Sequence, residues 1–472
     1  MNKKYKIGLF IFRRDLRLED NTGLIMALKT CEKVIPVFNF DPIQIDKEKN
    51  QYFSEPAFYF MLNSLEELDK ELKKLSSKLY IFYNEPTKTL ESLINHDKVE
   101  AVFLNKDYTP FARKRDGALF KSAEKNKVDF NICNDYTLSP IETIKTEQNK
   151  TYSVFTPFMK KACQYEVATP TPNTFTNYYQ GKLKTPTTKL SDFKAEISNM
   201  TPILKGGRNE ALEIIKKPTY LKDYHRQRDL PANTKGTSHL SAHHKFGTIS
   251  IRESYKVAND SYGAWSQYLA ELYWRDFYYY IAYHFPHVFG EPFLPWAKNI
   301  NWLNDKGQYE AWCQGKTGVP MVDAGMRELN QTGYMHNRSR MITASFLTKN
   351  LLIDWRWGEQ YFAKKLIDYD PSQNNGGWQW GASTGADPKP IRIFNPYTQA
   401  SKYDSNAEYI KRWIPELVDV PNNVLSDGKT QNFTMLAPLY PPPLIDQKMS
   451  YHRAREAYKE AKEKYKDLSK TA

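Results

Sequence analysis

The chain has 472 residues, of which 40% are hydrophobic and 26% are charged, a balance typical of soluble globular proteins. This length predicts two or three domains. No apolar run approaches the roughly 20 residues that span a bilayer. The short apolar stretch at residues 7–12 is followed directly by Arg13 and Arg14, which favours a buried strand over a signal peptide. We therefore expect an intracellular protein, cytoplasmic and associated with the nucleoid, or nuclear in a eukaryotic host.

The formal net charge is +13, from 67 Lys and Arg against 54 Asp and Glu. A basic surface attracts polyanions, most often nucleic acid, although a merely solvated basic surface explains the charge equally well. The cysteines are scattered without a CxxC spacing, which favours free thiols and gives no support to a metal site. They are Cys31, Cys133, Cys163 and Cys313.

The first part of the chain alternates strand and helix patterns. Four short runs rich in Val, Ile, Leu and Phe are typical of buried parallel strands: residues 6–12, 34–40, 78–83 and 101–104. Residues 58–75 place a stripe of leucines on one face of a helix. This alternation predicts a doubly wound α/β domain with a parallel sheet over residues 1–130. It contains no GxGxxG motif, so dinucleotide binding is not indicated there.

The rest of the chain divides into a connection and a helical part. Thr, Pro, Asn and Lys dominate residues 168–188, which predicts an interdomain linker over residues 131–204. Helical patterns prevail afterwards, for example at residues 265–284 and 335–353, and predict an all-α domain over residues 205–472. A charged helix at residues 451–468 ends the chain without an evident function.

Tryptophan is confined to the helical part. All ten tryptophans lie beyond residue 260: Trp265, Trp274, Trp296, Trp302, Trp312, Trp355, Trp357, Trp378, Trp380 and Trp413. The plain explanation is a bulky helical core. However, the segment at residues 374–380 surrounds two of them with Asn, Gly and Gln, a composition typical of a pocket that stacks on flat rings.

Residues 268–277 predict a helix on which Glu271, Trp274 and Arg275 share a face. A carboxylate, an indole and a guanidinium together suit the stacking of a base and hydrogen bonding to its edge. The alternative is an ordinary Glu–Arg pair beside a buried tryptophan.

Residues 333–341 predict a second helix, with Asn337, Arg340 and Met341 on one side. An inward-facing Arg340 needs an anionic partner, for which Asp368 and Asp370 are the candidates.

The loop at residues 236–241 contains small and hydroxyl-bearing residues before a predicted helix: Gly236, Thr237, Ser238, His239, Leu240 and Ser241. Such a loop can bind a phosphate through backbone N–H and side-chain O–H groups, and a simple capped loop is the alternative. The sequence lacks a Walker lysine, a Ser-His-Asp order, an HExxH motif and a paired-carboxylate spacing, so hydrolase chemistry is not indicated. The residue pattern favours a bound cofactor that performs the chemistry.

Five segments together resemble the photolyase/cryptochrome family, and in particular its class I-like enzymes that repair cyclobutane pyrimidine dimers. They are Phe12-Arg13-Arg14-Asp15-Leu16-Arg17, Trp274-Arg275-Asp276-Phe277 and residues 236–241, 318–327 and 374–380. The resemblance covers residues 5 to about 420 in the family's order, which makes it highly specific. It implies an N-terminal α/β domain and a helical domain that binds folded FAD.

The resemblance also implies which side chains contact FAD. Positions that match the family's cofactor site are Tyr224, Thr237, Ser238, His239, Leu240, Ser241, Tyr268, Arg275, Arg340, Asp368, Asp370 and Asn374. Among them, Arg340 and Asp368 match a salt bridge near the isoalloxazine, and Asn374 matches the residue that faces flavin N5. Plant cryptochromes carry Asp at that position, so Asn374 favours repair.

The implied reaction is the light-driven repair of pyrimidine dimers in DNA by a deoxyribodipyrimidine photo-lyase. Excited FADH⁻ passes an electron to a flipped-out dimer, the cyclobutane ring opens, and the electron returns. Glu271 would hydrogen-bond the dimer and Trp274 and Trp380 would stack on it, while the other positions that match DNA or pocket contacts are Arg228, Asn337, Arg338, Met341 and Gln399.

A further set, Trp378, Trp355 and Trp302, matches the tryptophans that carry electrons from the surface to oxidised flavin. The resemblance leaves the antenna chromophore open between methenyltetrahydrofolate, a deazaflavin, a flavin and none. Residues 105–108 lie where antenna contacts are often found. We expect a monomer that binds UV-damaged DNA and no membrane.

Three rival functions stand beside this one. A (6-4) photolyase would carry His where this chain has Asn337 and Met341. A cryptochrome light receptor often has a long disordered tail, for which little room follows Leu468. A nucleotide-binding protein without light chemistry would not require the tryptophan set.

Overall fold

The computed structural model describes residues 3–197, 200–263, 265–388, 391–427 and 435–471. Its N-terminal part contains a five-stranded parallel sheet in the order β3-β2-β1-β4-β5. The strands are β1 (Tyr5–Phe12), β2 (Cys31–Phe40), β3 (Tyr80–Tyr83), β4 (Ala101–Asn105) and β5 (Asp129–Cys133). The predicted doubly wound α/β domain followed by an all-α region is confirmed.

Strand β5 was not among the predicted strands. It pairs with β4 at the edge of the sheet, and its side chains are half-buried or exposed. An edge strand of this kind needs no continuous apolar run, so its sequence lacks the signal that identified the four inner strands.

Six helices accompany the sheet and the following connection: α1 (Thr22–Thr30), α2 (Pro42–Ile45), α3 (Glu55–Lys74), α4 (Pro86–Asp97), α5 (Pro110–Lys125) and α6 (Phe155–Ala162). Helix α3 contains the predicted leucine stripe, and Leu65, Leu68 and Leu72 are buried against the sheet. Ser54 caps α3 by accepting a hydrogen bond from the Ala57 amide at 3.2 Å, which accounts for the point at which the helix begins.

The remaining chain is helical: α7 (Arg208–Lys216), α8 (Tyr224–Gln227), α9 (Ser241–Phe246), α10 (Ile251–Tyr262), α11 (Gln267–His284), α12 (Lys306–Gln314), α13 (Pro320–Thr332), α14 (Asn337–Ser345), α15 (Trp355–Lys365), α16 (Pro371–Gly381), α17 (Pro396–Tyr403), α18 (Glu408–Trp413), α19 (Asn422–Asp427) and α20 (Gln447–Thr471). Among the described residues, short 3₁₀ helices lie at Leu190–Asp192, Thr219–Leu221, Pro286–Val288, Pro295–Asn299 and Pro415–Leu417, and a π-helical turn, Phe346–Asn350, extends α14. The helix predicted at residues 335–353 is therefore α14 plus this turn.

The division at residues 1–130, 131–204 and 205–472 stays a prediction. The connecting segment pairs with the sheet domain, because Tyr178 forms an isolated β-bridge with Val34 and Thr188 forms one with Ile81. It also contributes to the helical part through α6, whose Phe155 and Phe158 pack in a cluster with residues of α11. The charged C-terminal helix α20 packs through the buried Tyr458, whose hydroxyl donates to the Ala382 carbonyl at 2.7 Å.

Candidate functional site

Helix α11 carries Glu271 on a partly open wall of the site. The Arg228 guanidinium, which follows α8, donates a hydrogen bond to Glu271 Oε1, and Gln267 Nε2 donates to the same oxygen at 2.9 Å. The side chains of Arg228 and Glu271 are 20% and 28% exposed. The structure thus joins two residues that were predicted to contact the substrate into one ion pair.

Trp274 lies one helical turn further along α11, and one of its faces is covered. The Phe155 ring stacks on it with centroids 3.8 Å apart and planes within 10°. Tyr278 packs beside the indole at 5.6 Å. Because Trp274 remains half-buried, part of its ring surface is open to solvent, and the stacked phenyl group restricts its rotation.

Helix α14 forms a neighbouring wall. Asn337 is exposed, and its Nδ2 lies 3.8 Å from Met341 Sδ on the next turn. Arg338 Nη2 donates to Asp229 Oδ1 at 2.7 Å, and its guanidinium lies 4.1 Å from the centroid of the Tyr403 ring. Arg228 and Asp229 are adjacent in the chain. Arg228 pairs with Glu271 of α11 and Asp229 pairs with Arg338 of α14, so this segment connects the two helices.

Trp380 and Gln399 lie on α16 and α17. Trp380 is half-buried and borders a small cavity together with Lys349 and Phe394. The Gln399 Oε1 atom is buried without a hydrogen-bond partner among the described residues. Within the same part of the chain, no hydrogen bond or ring contact joins either side chain to the pair of Arg228 and Glu271.

The loop at residues 236–241 precedes α9, whose first residue is Ser241. The Ser238 Oγ atom accepts from the Leu240 amide at 3.3 Å and lies 3.4 Å from the Tyr268 hydroxyl. The Tyr268 ring packs edge-on against Tyr224, with centroids 5.4 Å apart. These contacts bring the predicted cofactor residues of the loop, α8 and α11 together.

His239 interrupts this loop with a left-handed backbone, at a φ of 53°. Its Nε2 atom lies 2.8 Å from the Thr234 carbonyl, whereas its Nδ1 atom is buried without a partner among the described residues. A left-handed conformation is uncommon for a residue other than glycine and is often stabilised at ligand sites.

The predicted salt bridge between Arg340 and Asp368 is present. Arg340 Nη2 lies 2.8 and 3.1 Å from the two Asp368 carboxylate oxygens, and Arg340 Nε donates to the Met335 carbonyl at 2.8 Å. Asp370, the other carboxylate considered for Arg340, instead accepts from Arg14 and from the Tyr279 hydroxyl. The Asp368 side chain is only 4% exposed, and a buried carboxylate is stable only with such a charged partner.

Asn374 is held by Glu359 across the interface between α16 and α15. Asn374 Nδ2 donates to Glu359 Oε1 at 2.9 Å and to the Glu359 carbonyl at 3.0 Å. Both amide hydrogens are therefore used, which leaves the Asn374 Oδ1 atom as the group available to a ligand. Burial raises the pKa of Glu359 to about 7, against hydrogen bonds from Asn374 and Tyr52 that lower it.

The three predicted electron-carrying tryptophans differ in their exposure to solvent. Trp378 and Trp355 are buried, and Trp302 is half-buried against Tyr458 of α20. Gly358 on α15 permits the close approach of α16, since a Cβ at this position would overlap the six-membered ring of Trp378.

The remaining predicted cofactor residue, Arg275, is anchored to the connecting segment. Its Nη1 atom donates to the Tyr136 carbonyl, and its guanidinium lies 4.8 Å from the Tyr279 ring centroid. His336 is the N-cap of α14, and burial lowers its pKa to about 3.

The residues present suit FAD. The unpartnered His239 Nδ1 belongs to the loop predicted to bind phosphate, and the buried Ser372 Oγ, near the start of α16, also lacks a partner among the described residues. Buried polar atoms without hydrogen-bond partners are uncommon in proteins, and a polar ligand would supply the missing partners. The Asn374 Oδ1 atom and the salt bridge of Arg340 would supply polar groups for a flavin ring.

Comparisons with known proteins identify the family of this chain. A family model described as DNA photolyase matches residues 9–175, and one described as the FAD binding domain of DNA photolyase matches residues 268–460. Deoxyribodipyrimidine photo-lyases of Synechococcus sp. and Escherichia coli are 36% and 35% identical, over 96% of this chain and 96% and 98% of theirs. The chain belongs to the DNA photolyase family.

Solved photolyase structures support the same membership. An archaeal photolyase from Sulfolobus tokodaii is 41% identical, with a TM-score of 0.86, over 96% of this chain and all of the other. A class III photolyase from Agrobacterium tumefaciens is 30% identical with a TM-score of 0.89, over 98% and 99% of the two chains. The predictions of a photolyase fold, an FAD cofactor and a lyase activity are confirmed.

Membrane spans and metal centres are both absent from the described residues. Within those ranges, no helix has the length and apolarity required to cross a bilayer. The same ranges contain no cluster of three or more His, Cys, Asp or Glu side chains arranged to bind a metal ion.

The N-terminal photolyase motif proves to be a junction between the two parts of the molecule. Arg14 lies at the carboxyl end of β1 and is bonded to Asp107 beside the sheet and to Asp370 and Tyr279 of the helical region. Burial opposes ionisation of Asp107, but Arg14 and Arg115 lower its pKa to about 2. The motif therefore acts as a buried ionic connection.

A cavity of about 520 Å³ opens at the carboxyl ends of β1 and β2. Its walls are largely apolar, and Arg13, Arg115 and Asp41 supply polar groups. Ligands of α/β sheets bind at this edge. Of the antenna residues predicted at 105–108, Asp107 lines the cavity, whereas the Asn105 side chain bonds to Asp15 and Asn21.

Sequence reasoning missed Phe155 and Glu359. Phe155 lies in the predicted linker, where no local pattern links it to Trp274. For Glu359, the sequence does contain a signal, which is its spacing. Glu359 lies four residues after Trp355, just as Trp378 lies four residues after Asn374. This spacing places each pair on one helix face.

Proposed function

We propose that this photolyase-family chain repairs cyclobutane pyrimidine dimers in DNA, as a deoxyribodipyrimidine photo-lyase that uses light and reduced FAD. When bound, the reduced flavin supplies the photoexcited electron that opens the cyclobutane ring. The protein's own residues hold that cofactor, receive the extruded dimer and exclude water around both.

The cofactor would be held from several sides. The loop at residues 236–241 offers backbone N–H groups and hydroxyls to the phosphates, with Tyr224 and Tyr268 beside it. The salt bridge of Arg340 and Asp368 and the Oδ1 atom of Asn374 are polar groups for the ring system. In this role Asn374 accepts a hydrogen bond, because Glu359 occupies both of its donors.

The lesion would be held between α11 and α14. The open part of Trp274 provides a surface for stacking, and Glu271 provides an acceptor for a base edge. Arg228 and Arg338 lie in ion pairs beside these groups, where they can approach the DNA backbone. Enzymes that flip bases recognise the extruded base by such stacking and edge contacts.

The contact between Asn337 and Met341 is the observation that favours cyclobutane dimers over (6-4) products. These two side chains occupy successive turns of α14, at positions where a (6-4) photolyase would carry histidine. An amide and a thioether offer hydrogen bonding and apolar contact but no imidazole that could transfer a proton.

A light-dependent repair assay on both lesion types tests the proposal. Purified protein with reduced FAD should restore oligonucleotides that carry a cyclobutane dimer and leave (6-4) products unchanged, with no repair in the dark. Repair of (6-4) products alone would overturn the substrate assignment. Absence of repair with either lesion, in a protein that binds FAD, would favour a light receptor.

We include the monomeric state and an intracellular location near DNA in this proposal. The net charge of +13 supports only the attraction to DNA, since each phosphate contact to a basic side chain makes the affinity fall with salt. Light scattering tests the first point, and binding of a dimer-containing duplex across a salt series tests the attraction to DNA.

We further propose that the cavity at the carboxyl ends of β1 and β2 binds a second chromophore. Its volume of about 520 Å³ suits a compact planar ring system. The photolyase of Sulfolobus tokodaii was solved with two FAD molecules, with the implication of a novel light-harvesting cofactor in that protein. Extraction and chromatography of the bound pigments, with Ala57→Trp as a variant that fills the cavity, should show loss of the second chromophore alone.

A further inference from the structure

A continuous row of aromatic rings leads from Trp378 to the protein surface by a path that omits Trp355 and Trp302. The Trp312 ring contacts Trp378, with centroids 6.0 Å apart and planes at 74°. Tyr309 lies 6.1 Å from Trp312 in a stacked arrangement, and Trp357 lies edge-on to Tyr309 at 5.1 Å. These separations are those of aromatic rings in contact.

The two outer rings of this row are more exposed than the two inner rings. Trp378 is 3% exposed and Trp312 is fully buried, whereas Tyr309 and Trp357 are half-buried. A positive charge left on an oxidised indole is better solvated near water than in an apolar interior. An electron vacancy that reaches Tyr309 or Trp357 is therefore better solvated than one on Trp378 or Trp312.

The hydrogen-bond partners of the rings favour the same end point. Trp312 Nε1 donates to the Thr343 carbonyl at 3.2 Å, and the Tyr309 hydroxyl donates to the Trp357 carbonyl at 3.1 Å. A backbone carbonyl is too weak a base to take either proton. Trp357 is half-exposed, so its indole N–H can release a proton to water and become a neutral radical.

We propose that Trp312, Tyr309 and Trp357 form a second electron route to Trp378. This inference rests on the proposed function, because Trp378 is oxidised only when a photoexcited, oxidised flavin takes its electron. One electron then passes from Trp312 to Trp378, and Trp357 refills Trp312 across the ring of Tyr309. Trp357 releases its Nε1 proton to water, and a thiol in solution donates a hydrogen atom to restore the indole, leaving a thiyl radical.

Laser-flash absorption of the oxidised, FAD-loaded protein tests the route through the long-lived tryptophan radical. Trp355→Phe should keep this radical, because the second route remains intact. Adding Trp312→Phe or Trp357→Phe to Trp355→Phe should remove it. Complete loss in Trp355→Phe alone, or an unchanged yield in both double variants, would overturn the proposal.

Tyr361→Phe is the matched control for the neighbourhood of Trp312. Tyr361 contacts the same indole at 5.7 Å from another side, so removal of its hydroxyl should leave the radical yield unchanged. Because Trp312 is buried, FAD content and the unfolding free energy are measured for each variant, and the half-buried Trp357 provides a test with less effect on folding.

Comparison of the wild type with Trp378→Phe distinguishes failure of the proposed photoreduction from failure of the second electron route. A wild type that binds FAD but forms no tryptophan radical would contradict photoreduction itself. A radical that forms in the wild type, disappears in Trp378→Phe and depends on Trp355 alone would contradict only the second route.

Discussion

The Phe155 ring lies face to face with Trp274, with the two centroids 3.8 Å apart. Phe155 begins α6, in the segment that connects the sheet to the helical region, whereas Trp274 belongs to α11, which forms one wall of the proposed lesion pocket. The connecting segment thereby fixes the orientation of a proposed substrate-stacking side chain.

Phe155→Ala should weaken binding to DNA that carries a dimer more than binding to undamaged DNA. The stacked pair contributes about 0.5–1.5 kcal/mol beyond the buried area, and its loss would let the indole turn away from the substrate. Fluorescence anisotropy in the dark, with Phe155→Leu as a variant that keeps apolar bulk, measures this difference. Equal losses for both DNAs would contradict a positioning role.

Glu271→Gln should lower the repair yield while FAD stays bound. The neutral amide retains the shape of the side chain but no longer balances the charge of Arg228, whose guanidinium lies against the carboxylate. A hydrogen bond to a charged group contributes about 1.5–3 kcal/mol, of which the neutral amide keeps only part. Repair per absorbed photon and FAD content are the measurements, and a repair yield equal to that of the wild type would remove Glu271 from the site.

Gly358→Ala should displace Trp378 and slow photoreduction of oxidised flavin. A methyl group at Gly358 overlaps the Trp378 ring, and overpacking of this kind costs about 1–3 kcal/mol of stability. The matched control is Gly377→Ala on α16, where an added Cβ meets no atom within 4 Å. Flash absorption and chemical denaturation should distinguish the two variants, and identical behaviour would argue against close packing at Gly358.

Arg14→Gln should destabilise the protein and change its acid sensitivity. Removal of one partner from a buried ionic network costs roughly 3–5 kcal/mol, since Asp107 and Asp370 would lose their cation. Both carboxyls have a pKa below 3.8, and that of Asp107 is about 2. Their contribution is therefore complete above about pH 4 and is lost as the pH falls towards 2.

Urea unfolding at several pH values checks this expectation. The wild type should lose stability between about pH 4 and pH 2 more steeply than the variant, in which the carboxyls no longer gain from being ionised. Parallel curves for the two proteins would show that Arg14 does not control the ionisation of these carboxyls.

Glu359→Gln should abolish a decrease in the free energy of unfolding that the wild type shows as the pH rises towards 7. Burial raises the pKa of Glu359 from 4.5 to about 7, so its protonated form is favoured in the folded state. The contribution of Glu359 to the free energy of unfolding is therefore fully present below pH 4.5. It declines as the pH rises to 7, by up to roughly 3 kcal/mol. The glutamine variant should lack this decline, whereas the exposed control Glu310→Gln should retain it in urea unfolding.

The sequence by itself determined the classes of structure. Apolar runs identified the inner strands because parallel strands are covered on both faces, and the leucine stripe identified α3 because a helix repeats every 3.6 residues. The edge strand β5 was missed because its half-exposed side chains carry no such pattern. Ordered motifs along the chain indicated the family and its cofactor.

Tertiary structure decided which distant side chains meet. Local spacing placed Trp355 with Glu359, and Asn374 with Trp378, but only the packing of α15 on α16 made Glu359 the partner of Asn374. Stacking of Phe155 on Trp274 and the choice of Arg14 as the partner of Asp370 likewise depend on contacts between segments far apart in the chain. Periodicity reports the environment of one element, whereas such contacts arise only when several elements are packed together.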